Sequence, residues 1–264
     1  NANKLLGLNL KEKDLEKLLP RMGCEYKNKT VLIPAWRTDI LHEVDIIEDI
    51  AIAYGYDKFI PEIPNISTAG EESEKSKFKS KVAELLIGLG LLEVSSFHLI
   101  KHREAELMNL AEKSEVADSK TDYKILRPNL LIPALRILAE NKDNEYPQEI
   151  FEIGTVFSLD KRNSTETGVK EKDNLIVLSS PANFTKIKQI LNYLAEMLNI
   201  KCKLETGKHP DLIDGRTAKI LLGKKDIGYL GELHPKTLRD WGIKMPAAVL
   251  EIDLDEIFDV SSSN

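Results

Sequence analysis

The 264-residue sequence predicts an α+β fold whose main module is built on an antiparallel sheet. One reason is that strand patterns follow one another after the first helical patterns, at 148–159, 175–180, 201–205, 217–222, 226–231 and 247–253. A second is that the polar segment 61–78, rich in Pro, Gly and Ser, separates two regions of different pattern. We therefore expect a small domain at 1–66 and a larger module at 67–264.

The composition is that of an ordinary globular protein, with 42% hydrophobic and 30% charged residues. The formal net charge of −6 argues against a protein that coats nucleic acid, because such binding needs a surplus of Lys and Arg. Neither a signal peptide nor an apolar run of membrane-spanning length is found, so no membrane partner is expected. Cys24 and Cys202 have no metal-ligand spacing, which indicates reduced thiols and a cytoplasmic location.

The first domain has the pattern of a small helix-turn-helix-like unit with a wing. Apolar spacing over 10–24 predicts a helix that stops near Gly23, and 24–36 contains a strand pair with "KNK" as its turn. Asp39 is expected to cap the next helix. The buried stripe of that helix should comprise Val44, Ile46, Ile47, Ile50, Ala51 and Ala53. Residues 1–66 hold 9 basic and 11 acidic side chains, which gives a DNA-binding interpretation no electrostatic support.

The larger module should begin with a helix that is capped by Ser73 and runs through Gly88, followed by a strand at 91–100. Its other predicted elements are a charged helix at 101–123, a strand and a proline-interrupted helix at 125–142, a solvated hairpin loop at 160–174, an amphipathic helix at 183–200 and a short helix at 235–241.

Four acids in the stretch "RTDILHEVDIIEDIAIAYGYD" form the most distinctive cluster of the sequence. Asp45, Glu48 and Asp49 stand at i, i+3 and i+4 and share one helix face, and Asp39 lies at the start of that helix. Carboxylates this close repel one another unless a cation or basic groups intervene, and hard oxygen ligands suit Mg²⁺. The residues alone favour a solvated helix face with a cap, since such charge runs are common on helices.

Several other residues have both a functional and a structural interpretation. Tyr54 and Tyr56 could stack on RNA bases, but tyrosines at a helix end more often close a small core. His209 and His234 each precede a proline and have no nucleophile pattern beside them, which disfavours a hydrolytic pair. We interpret Gly215 and Arg216 as a turn into a strand, with the guanidinium tied to a carboxylate such as that of Glu232.

Seven segments of the sequence, taken in order, have the spacing of a known family. They are "RTDILHEVDIIEDIAIAYGYD", "LGLLEVSSF", "LRPNLLIPALRILAEN", "IFEIGTVF", "HPDLIDGRTAKI", "GELHP" and "AAVLEIDL", and they span nearly all of the chain. This set resembles the β subunit of phenylalanyl-tRNA synthetase in its archaeal or eukaryotic form. The resemblance implies that 67–264 is similar to a class II synthetase domain. It also implies a C-terminal fragment that lacks the editing domain.

The resemblance implies a role for the acidic cluster. The family's Mg²⁺ positions fall here on Asp39, Asp45, Glu48 and Asp49, in a site shared with the α subunit. Asp49 is one methylene shorter than the Glu common in bacterial relatives. Because the α subunit would complete the site, we expect only weak Mg²⁺ binding to this chain alone.

The resemblance does not extend to catalytic groups. Class II synthetases carry an Arg two residues before a Glu on a central strand, whereas Ile150 stands two residues before Glu152 here. A second Arg lies in a G-x-G-x-x-R segment, but the matching "AAVLEIDLDEI" (247–257) contains neither Gly nor Arg. These arginines would stabilise the charge that develops on the α-phosphate. No catalytic residue is therefore assigned, and ATP is expected to be used by the holoenzyme without being bound by this chain.

The dimer-contact motif of class II synthetases is matched by "SKFKSKVAELLIGLGLLEV", with Phe97 at the place of its usual proline. This helix and the strand after it could contact the α subunit through Leu85, Leu86, Leu89 and Leu91. The same stripe could instead pack only inside its own module, since an amphipathic helix has the same pattern in both cases.

The sequence thus predicts a non-catalytic β-subunit fragment of phenylalanine–tRNA ligase. It would scaffold the α subunit, in a heterotetramer of two α and two β subunits, and help to place tRNA(Phe). The whole assembly would attach phenylalanine to its tRNA using ATP, and the isolated fragment would be inactive. The alternative is a stand-alone nucleic-acid-binding module, which would bind tRNA with a steep salt dependence. A third possibility, an independent ligase, would require phenylalanine-dependent pyrophosphate release by this chain.

Overall fold

The structure is a computed structural model, and it describes residues 1–160 and 165–261. The chain forms two compact units, one of residues Asn1–Gly70 and the other of residues Glu71–Asn264. None of the described helices is long and apolar enough to cross a membrane.

The first unit contains three helices and a short hairpin around a small apolar core. Its elements are α1 (Ala2–Leu6), α2 (Glu12–Leu18), a 3₁₀ turn (Leu19–Met22), β1 (Glu25–Lys27), β2 (Thr30–Leu32), α3 (Glu43–Tyr54) and a second 3₁₀ turn (Tyr56–Lys58). The predicted stop at Gly23 is confirmed, because this residue ends the first 3₁₀ turn with φ of 78°. The predicted "KNK" turn is confirmed as well, since Asn28 and Lys29 both have positive φ between the paired strands.

The start of α3 differs from the prediction. Asp39 does not cap this helix, because the helix begins four residues later, at Glu43. The cap is His42, whose Nδ1 accepts the amide hydrogen of Val44, while the carboxylate of Asp45 accepts those of Leu41 and His42. The predicted buried stripe is confirmed with one exception: Val44 lies on the outer face of the first turn and is 51% exposed.

The second unit is built on a seven-stranded sheet with the order β3-β6-β7-β11-β10-β9-β8. The strands are β3 (Leu92–Glu93), β6 (Gln148–Leu159), β7 (Val169–Ser180), β8 (Cys202–Thr206), β9 (Leu212–Leu222), β10 (Lys225–Leu233) and β11 (Ala248–Asp253). All neighbours are antiparallel except β3, which pairs parallel to β6 at one edge. The predicted α+β class with an antiparallel sheet is therefore confirmed.

Both faces of this sheet are covered. On one face, α4 (Glu74–Gly88), α7 (Phe184–Met197) and α9 (Leu254–Ser261) pack against the sheet in an apolar cluster that we call the helix-side cluster. On the other, α5 (His102–Leu107), α6 (Leu131–Glu140) and the ribbon of β4 (Leu99–Lys101) and β5 (Tyr123–Leu126) form the ribbon-side cluster. A short helix, α8 (Pro235–Asp240), precedes β11.

Several local predictions for this unit are corrected. The strand expected at 91–100 is divided into β3 and β4, and only α5 is helical within 101–123. Pro133 does not interrupt α6, because it occupies the first turn, where its missing N–H has no helical partner anyway. The loop predicted at 160–174 is shorter, since β7 begins at Val169, and its residues 161–164 lie outside the described part of the chain.

The start of α4 follows the prediction, because the side chain of Ser73 accepts the amide hydrogen of Ser76. Most of the predicted contact stripe packs inside the module. Leu86 and Leu91 belong to the helix-side cluster, and Leu85 packs against it, whereas Leu89 remains exposed. For three of the four leucines, burial within the chain's own module is therefore the correct alternative.

Candidate functional site

A row of directly paired residues crosses four central strands of the sheet. Glu152 on β6 pairs with Ile176 on β7, Ile176 with Glu251 on β11, and Glu251 with Tyr229 on β10. Residues that pair across strands point to the same face of a sheet, which here is the face of the ribbon-side cluster. We call these four residues the polar rung. Ile150, two positions before Glu152, points to the same face and is buried in that cluster.

Arg127 occupies one end of the polar rung. Its Nη1 lies 2.6 Å from Oε1 of Glu152, and both residues are at most 2% exposed. Its Nε donates to the carbonyl oxygen of Thr155, and its Nη1 also donates to the hydroxyl of Ser96. That hydroxyl in turn donates to the second oxygen of Glu152. Both oxygens of Glu152, and the Nε and Nη1 of Arg127, are thus hydrogen-bonded, which offsets the loss of water around the buried ion pair.

Glu251 occupies the middle of the rung and accepts three hydrogen bonds. The donors are the amide of Leu130, the side chain of Asn174 and the hydroxyl of Tyr229. Burial nevertheless raises the pKa of Glu251, because the charged form loses its hydration. Burial and the adjacent Glu251 carboxylate also raise the pKa of Tyr229, so this hydroxyl stays a donor. Sequence reasoning assigned no role to Glu251 or Asn174.

The histidines near the rung have structural partners. The ring of His209 stacks on that of Tyr229 at 4.3 Å, and burial lowers the pKa of His209 to about 4. His234 caps α8 by accepting the amide hydrogen of Lys236. The predicted ion pair of Arg216 is confirmed, since its Nη1 lies 2.6 Å from the carboxylate of Glu232. The predicted turn into a strand at Gly215 and Arg216 is wrong, because both residues lie within β9, where the pairing with β10 shifts register and Gly215 has a φ of 80°. His209 therefore stacks, His234 caps a helix, and Arg216 forms an ion pair.

Acids that follow the rung are paired with lysines. Asp253 lies 3.1 Å from Lys172, and Asp255 lies 2.7 Å from Lys75. Asp173 is held by Lys75 and Lys79 and by the hydroxyl of Thr155. Burial alone would raise the pKa of Asp173, but these contacts lower it to about 2. The acids of β7, β11 and α9 therefore belong to an internal ion-pair network that ties α4 to the sheet.

The four predicted metal ligands do not converge in this chain. Arg37 lies 2.7 Å from Asp39 and 3.0 Å from Asp49, so a guanidinium stands between these two acids. Asp45 is committed to the helix start, where backbone hydrogen bonds from His42 and Leu41 lower its pKa. Glu48 is exposed on the outer face. Within the described ranges, no group of three or more His, Cys, Asp or Glu could hold a metal ion. The donor set of this chain by itself does not fit Mg²⁺.

The two tyrosines at the end of α3 differ in burial. Tyr54 packs against the small core and lies edge-on to Phe59, with ring centroids 5.3 Å apart. Tyr56 is exposed. The preferred interpretation, that both tyrosines close the small core, is therefore confirmed for Tyr54 and wrong for Tyr56.

The parallel edge of the sheet carries exposed apolar side chains. Ile87 at the end of α4 is 52% exposed, and Leu92 on β3 is 66% exposed, with Leu89 between them in the chain. A cavity of about 460 Å³ opens beside β3, and Leu92, Val94, Ile137 and Leu138 are among its lining residues. We call Ile87, Leu89 and Leu92 the edge patch. Sequence reasoning named only Leu89 of these three.

The sheet, its two covered faces and its parallel edge strand define a class II synthetase-like fold. A solved pyrrolysyl-tRNA synthetase from Desulfitobacterium hafniense is similar, with a TM-score of 0.61 and 18% identity over 72% of this chain and 70% of that chain. A second structure of this synthetase gives a TM-score of 0.58 and 17% identity, covering 71% of this chain and 69% of the other. At such identities the likeness shows the fold alone.

The family follows from sequence comparison. The family model for the phenylalanyl-tRNA synthetase beta chain CLM domain matches residues 60–254, and that for the tRNA synthetase B5 domain matches residues 1–56. The chain therefore belongs to the phenylalanyl-tRNA synthetase beta chain family, as the resemblance implied.

Relatives named phenylalanine–tRNA ligase beta subunit agree with this assignment. Those of Pyrococcus abyssi, Thermococcus gammatolerans and Pyrococcus furiosus are 34%, 37% and 36% identical, each over 97% of this chain. The chain spans about half the length of these relatives, at 47%, 48% and 48% respectively.

Proposed function

We propose that this chain is a non-catalytic part of the β subunit of phenylalanine–tRNA ligase and that it scaffolds the catalytic α subunit. One observation carries the proposal: on the sheet face where a class II synthetase would carry its Arg and Glu, this chain has a buried Ile150 and a Glu152 that is bound to Arg127. A buried isoleucine cannot stabilise charge on a phosphate, and the carboxylate of Glu152 is already paired with Arg127. The whole assembly would use ATP to attach phenylalanine to its tRNA, with ATP bound outside this chain.

The edge patch is our proposed contact with the α subunit. Apolar side chains as exposed as Ile87 and Leu92 mark interaction sites when they cluster. The strand β3 is also one of the two edge strands of the sheet, where another chain can add backbone contacts. The proposed assembly is a heterotetramer of two α and two β subunits, and tRNA(Phe) would be bound by the holoenzyme. We further propose that 1–66 and 67–264 act as its two domains and that its location is cytoplasmic.

A magnesium site at Asp39, Asp45, Glu48 and Asp49 stays a proposal that requires the α subunit. Arg37 occupies two of these acids in this chain, so additional ligands and a displaced guanidinium would be needed. Glu48, which is exposed, would be the first group available to the ion, and Asp39 and Asp49 would follow once the guanidinium is displaced. No chemical step is assigned to it.

The alternative, a stand-alone nucleic-acid-binding module, is disfavoured by α3. This helix occupies the position of a recognition helix in a helix-turn-helix domain, yet residues 43–54 contain no Lys or Arg. The measurement is tRNA binding at increasing salt concentration. An independent binder would lose affinity steeply as salt rises, whereas we expect no specific binding by this chain alone.

Co-purification with the α subunit tests the scaffold proposal. Full-length β subunit carrying Ile87→Asp and Leu92→Asp should lose its complex with α in native mass spectrometry, because each change places a charge in an apolar contact. Val116→Asp is the matched control, since Val116 is also a partly exposed apolar residue of this unit but lies outside the edge patch. A complex that survives the paired change would place the α contact elsewhere, and no complex with wild-type β would contradict the scaffold role.

A further inference from the structure

The segment Arg127–Leu130 lies across the polar rung. Glu152 and Glu251 stand on strands separated by one other strand, which puts their backbones about 10 Å apart. The guanidinium of Arg127 is bound to Glu152, and the amide of Leu130 donates to Glu251 at 3.0 Å. A stretch of four residues therefore bridges the two carboxylates and covers Ile176 between them.

The groups around the guanidinium of Arg127 match its hydrogen-bond donors and its flat shape. Its acceptors are the carboxylate of Glu152, the hydroxyl of Ser96 and the carbonyl oxygen of Thr155. Its floor is Gly154, where a Cβ atom would lie only 2.3 Å from Nη2 of Arg127. A side chain at residue 154 would therefore force the guanidinium out of its present position.

We infer that Ser96, Glu152, Gly154 and Thr155 form a guanidinium-binding cradle on the face of the sheet, and that Arg127 is its internal ligand. The ligand class is a planar cation with several N–H donors, which matches a carboxylate and a carbonyl oxygen at once. In the native chain the cradle is full. When Arg127 is shortened, the cradle accepts an alkylguanidinium from solution. This inference goes beyond the scaffold role and does not depend on the α subunit.

The second buried arginine provides a contrast within the same unit. Arg136 lies 3.0 Å from Glu104, and its guanidinium also faces the ring of Tyr123 at 5.2 Å. Its Nη1 donates to both oxygens of the Glu104 carboxylate. This is an ordinary ion pair with an aromatic neighbour, and it lies away from the rung. Removal of either arginine leaves a buried carboxylate. Only the removal of Arg127 also leaves a hydroxyl and a carbonyl oxygen as free acceptors around the vacated position.

The experiment uses the 264-residue chain with Arg127→Ala, Arg136→Ala and the double change Arg127→Ala with Gly154→Ala. Methylguanidinium chloride is the probe, methylurea is its neutral counterpart, and ionic strength is held constant with KCl. Thermal unfolding and titration calorimetry measure binding. We expect Arg127→Ala to bind methylguanidinium saturably with one site and to gain thermal stability, while methylurea has no such effect.

The controls separate a cradle from a general effect of a buried carboxylate. The wild-type chain should show no saturable binding, because its cradle is occupied. In the double variant the added methyl group takes the place of the ligand, so the affinity should fall by about tenfold or more. Equal binding to Arg136→Ala, undiminished binding to the double variant, or no methylguanidinium-specific binding to Arg127→Ala would overturn the inference.

A folding defect of Arg127→Ala would itself serve as a readout. The variant would be refolded from denaturant in the presence of either probe, with the yield followed by near-UV circular dichroism. Recovery with methylguanidinium and not with methylurea supports the cradle. Equal recovery, or none, with the two probes overturns it, provided that the wild-type chain refolds under the same conditions.

Discussion

Arg37 lies 3.0 Å from the buried carboxylate of Asp49 and, through the same nitrogen, 2.7 Å from Asp39. One guanidinium thus contacts two of the four acids that the sequence places together and offsets one of their negative charges. It also donates to the carbonyl oxygen of Met22, which ties the segment before α3 to the end of the first 3₁₀ turn. The acidic cluster of this chain therefore keeps a net negative charge, although its own arginine binds two of the four acids.

Replacement of Arg37 should separate its structural role from a role in metal binding. Arg37→Ala leaves the Asp49 carboxylate buried without a counter-charge, so the melting temperature of the first unit should fall. The same change should increase Mg²⁺ affinity in calorimetry, because two acids become available. Lys58→Ala is a control that removes a basic residue of this unit elsewhere. Unchanged Mg²⁺ affinity in Arg37→Ala would argue against a magnesium site at these acids.

An arginine placed at position 150, where class II synthetases carry one, should destabilise this fold. Ile150→Arg introduces a charge among buried apolar side chains with no free carboxylate, so the unfolding free energy should fall by about 3 kcal/mol or more. Ile150→Val is the control and should cost about 1 kcal/mol. Urea unfolding measures both. An Ile150→Arg chain that is as stable as Ile150→Val would show that the ribbon-side cluster is not closed around this position.

Arg216 and Glu232 form one ion pair, but replacing each of them should lower the free energy of unfolding by a different amount. Arg216 is largely exposed, and loss of an exposed ion pair costs at most about 1 kcal/mol. Glu232 is mostly buried and also accepts the amide hydrogen of Phe184 at the start of α7. Glu232→Ala removes this cap as well and should cost about 2 kcal/mol. Equal effects of the two changes in urea unfolding would show that the contact with α7 adds nothing.

The stability of the second unit should fall in acid in two separate pH windows. Burial holds the pKa of His209 at about 4, below its unfolded value of about 6.5. The unfolded chain therefore takes up this proton first, and stability is lost as pH falls from 6.5 to 4, by up to about 3 kcal/mol. The pKa of Asp173 is about 2, so its contribution is lost only below pH 4.

His209→Gln tests the upper window. This change removes the titrating group that stacks on Tyr229 and neighbours Asp211, so the slope between pH 6.5 and 4 should flatten. Asp173→Asn is the matched comparison and should alter only the lower window. Urea unfolding across this pH range gives both slopes, and a slope that His209→Gln leaves unchanged would assign the upper window to another group.

The parts of the fold that could be predicted are those with a local pattern. Neighbouring residues encode three of these: the β-branched and aromatic residues of β6, the amphipathic spacing of α7, and the turn at Asn28 and Lys29. The cap at His42 was missed, because Asp is a far commoner cap and Asp39 stands close by. The general preference for Asp as an N-cap therefore predicted the wrong residue here, because the Asp39 side chain is bound to Arg37.

The site could be predicted only in part, since its contacts join distant positions. Arg127 and Glu152 are 25 residues apart, and Leu130 and Glu251 are 121 residues apart. Periodicity carries no information about such pairs. One signal was present: Arg127 is a lone charge in the apolar run "ILRPNLLIPAL", and a charge in such a run usually has a buried partner. The ion pair of Arg216 and Glu232 was predicted correctly, but the turn expected at Gly215 and Arg216 is a register shift within β9.

The most direct test of the central claim, that this chain contributes structure and no chemistry, is phenylalanine-dependent exchange of pyrophosphate into ATP. The 264-residue chain, its Glu152→Gln variant and a complex of full-length β with the α subunit would be assayed side by side. We predict exchange by the complex and none by the chain. Exchange by the chain alone that disappears on Glu152→Gln would contradict this account, because it would place a working active site on the sheet.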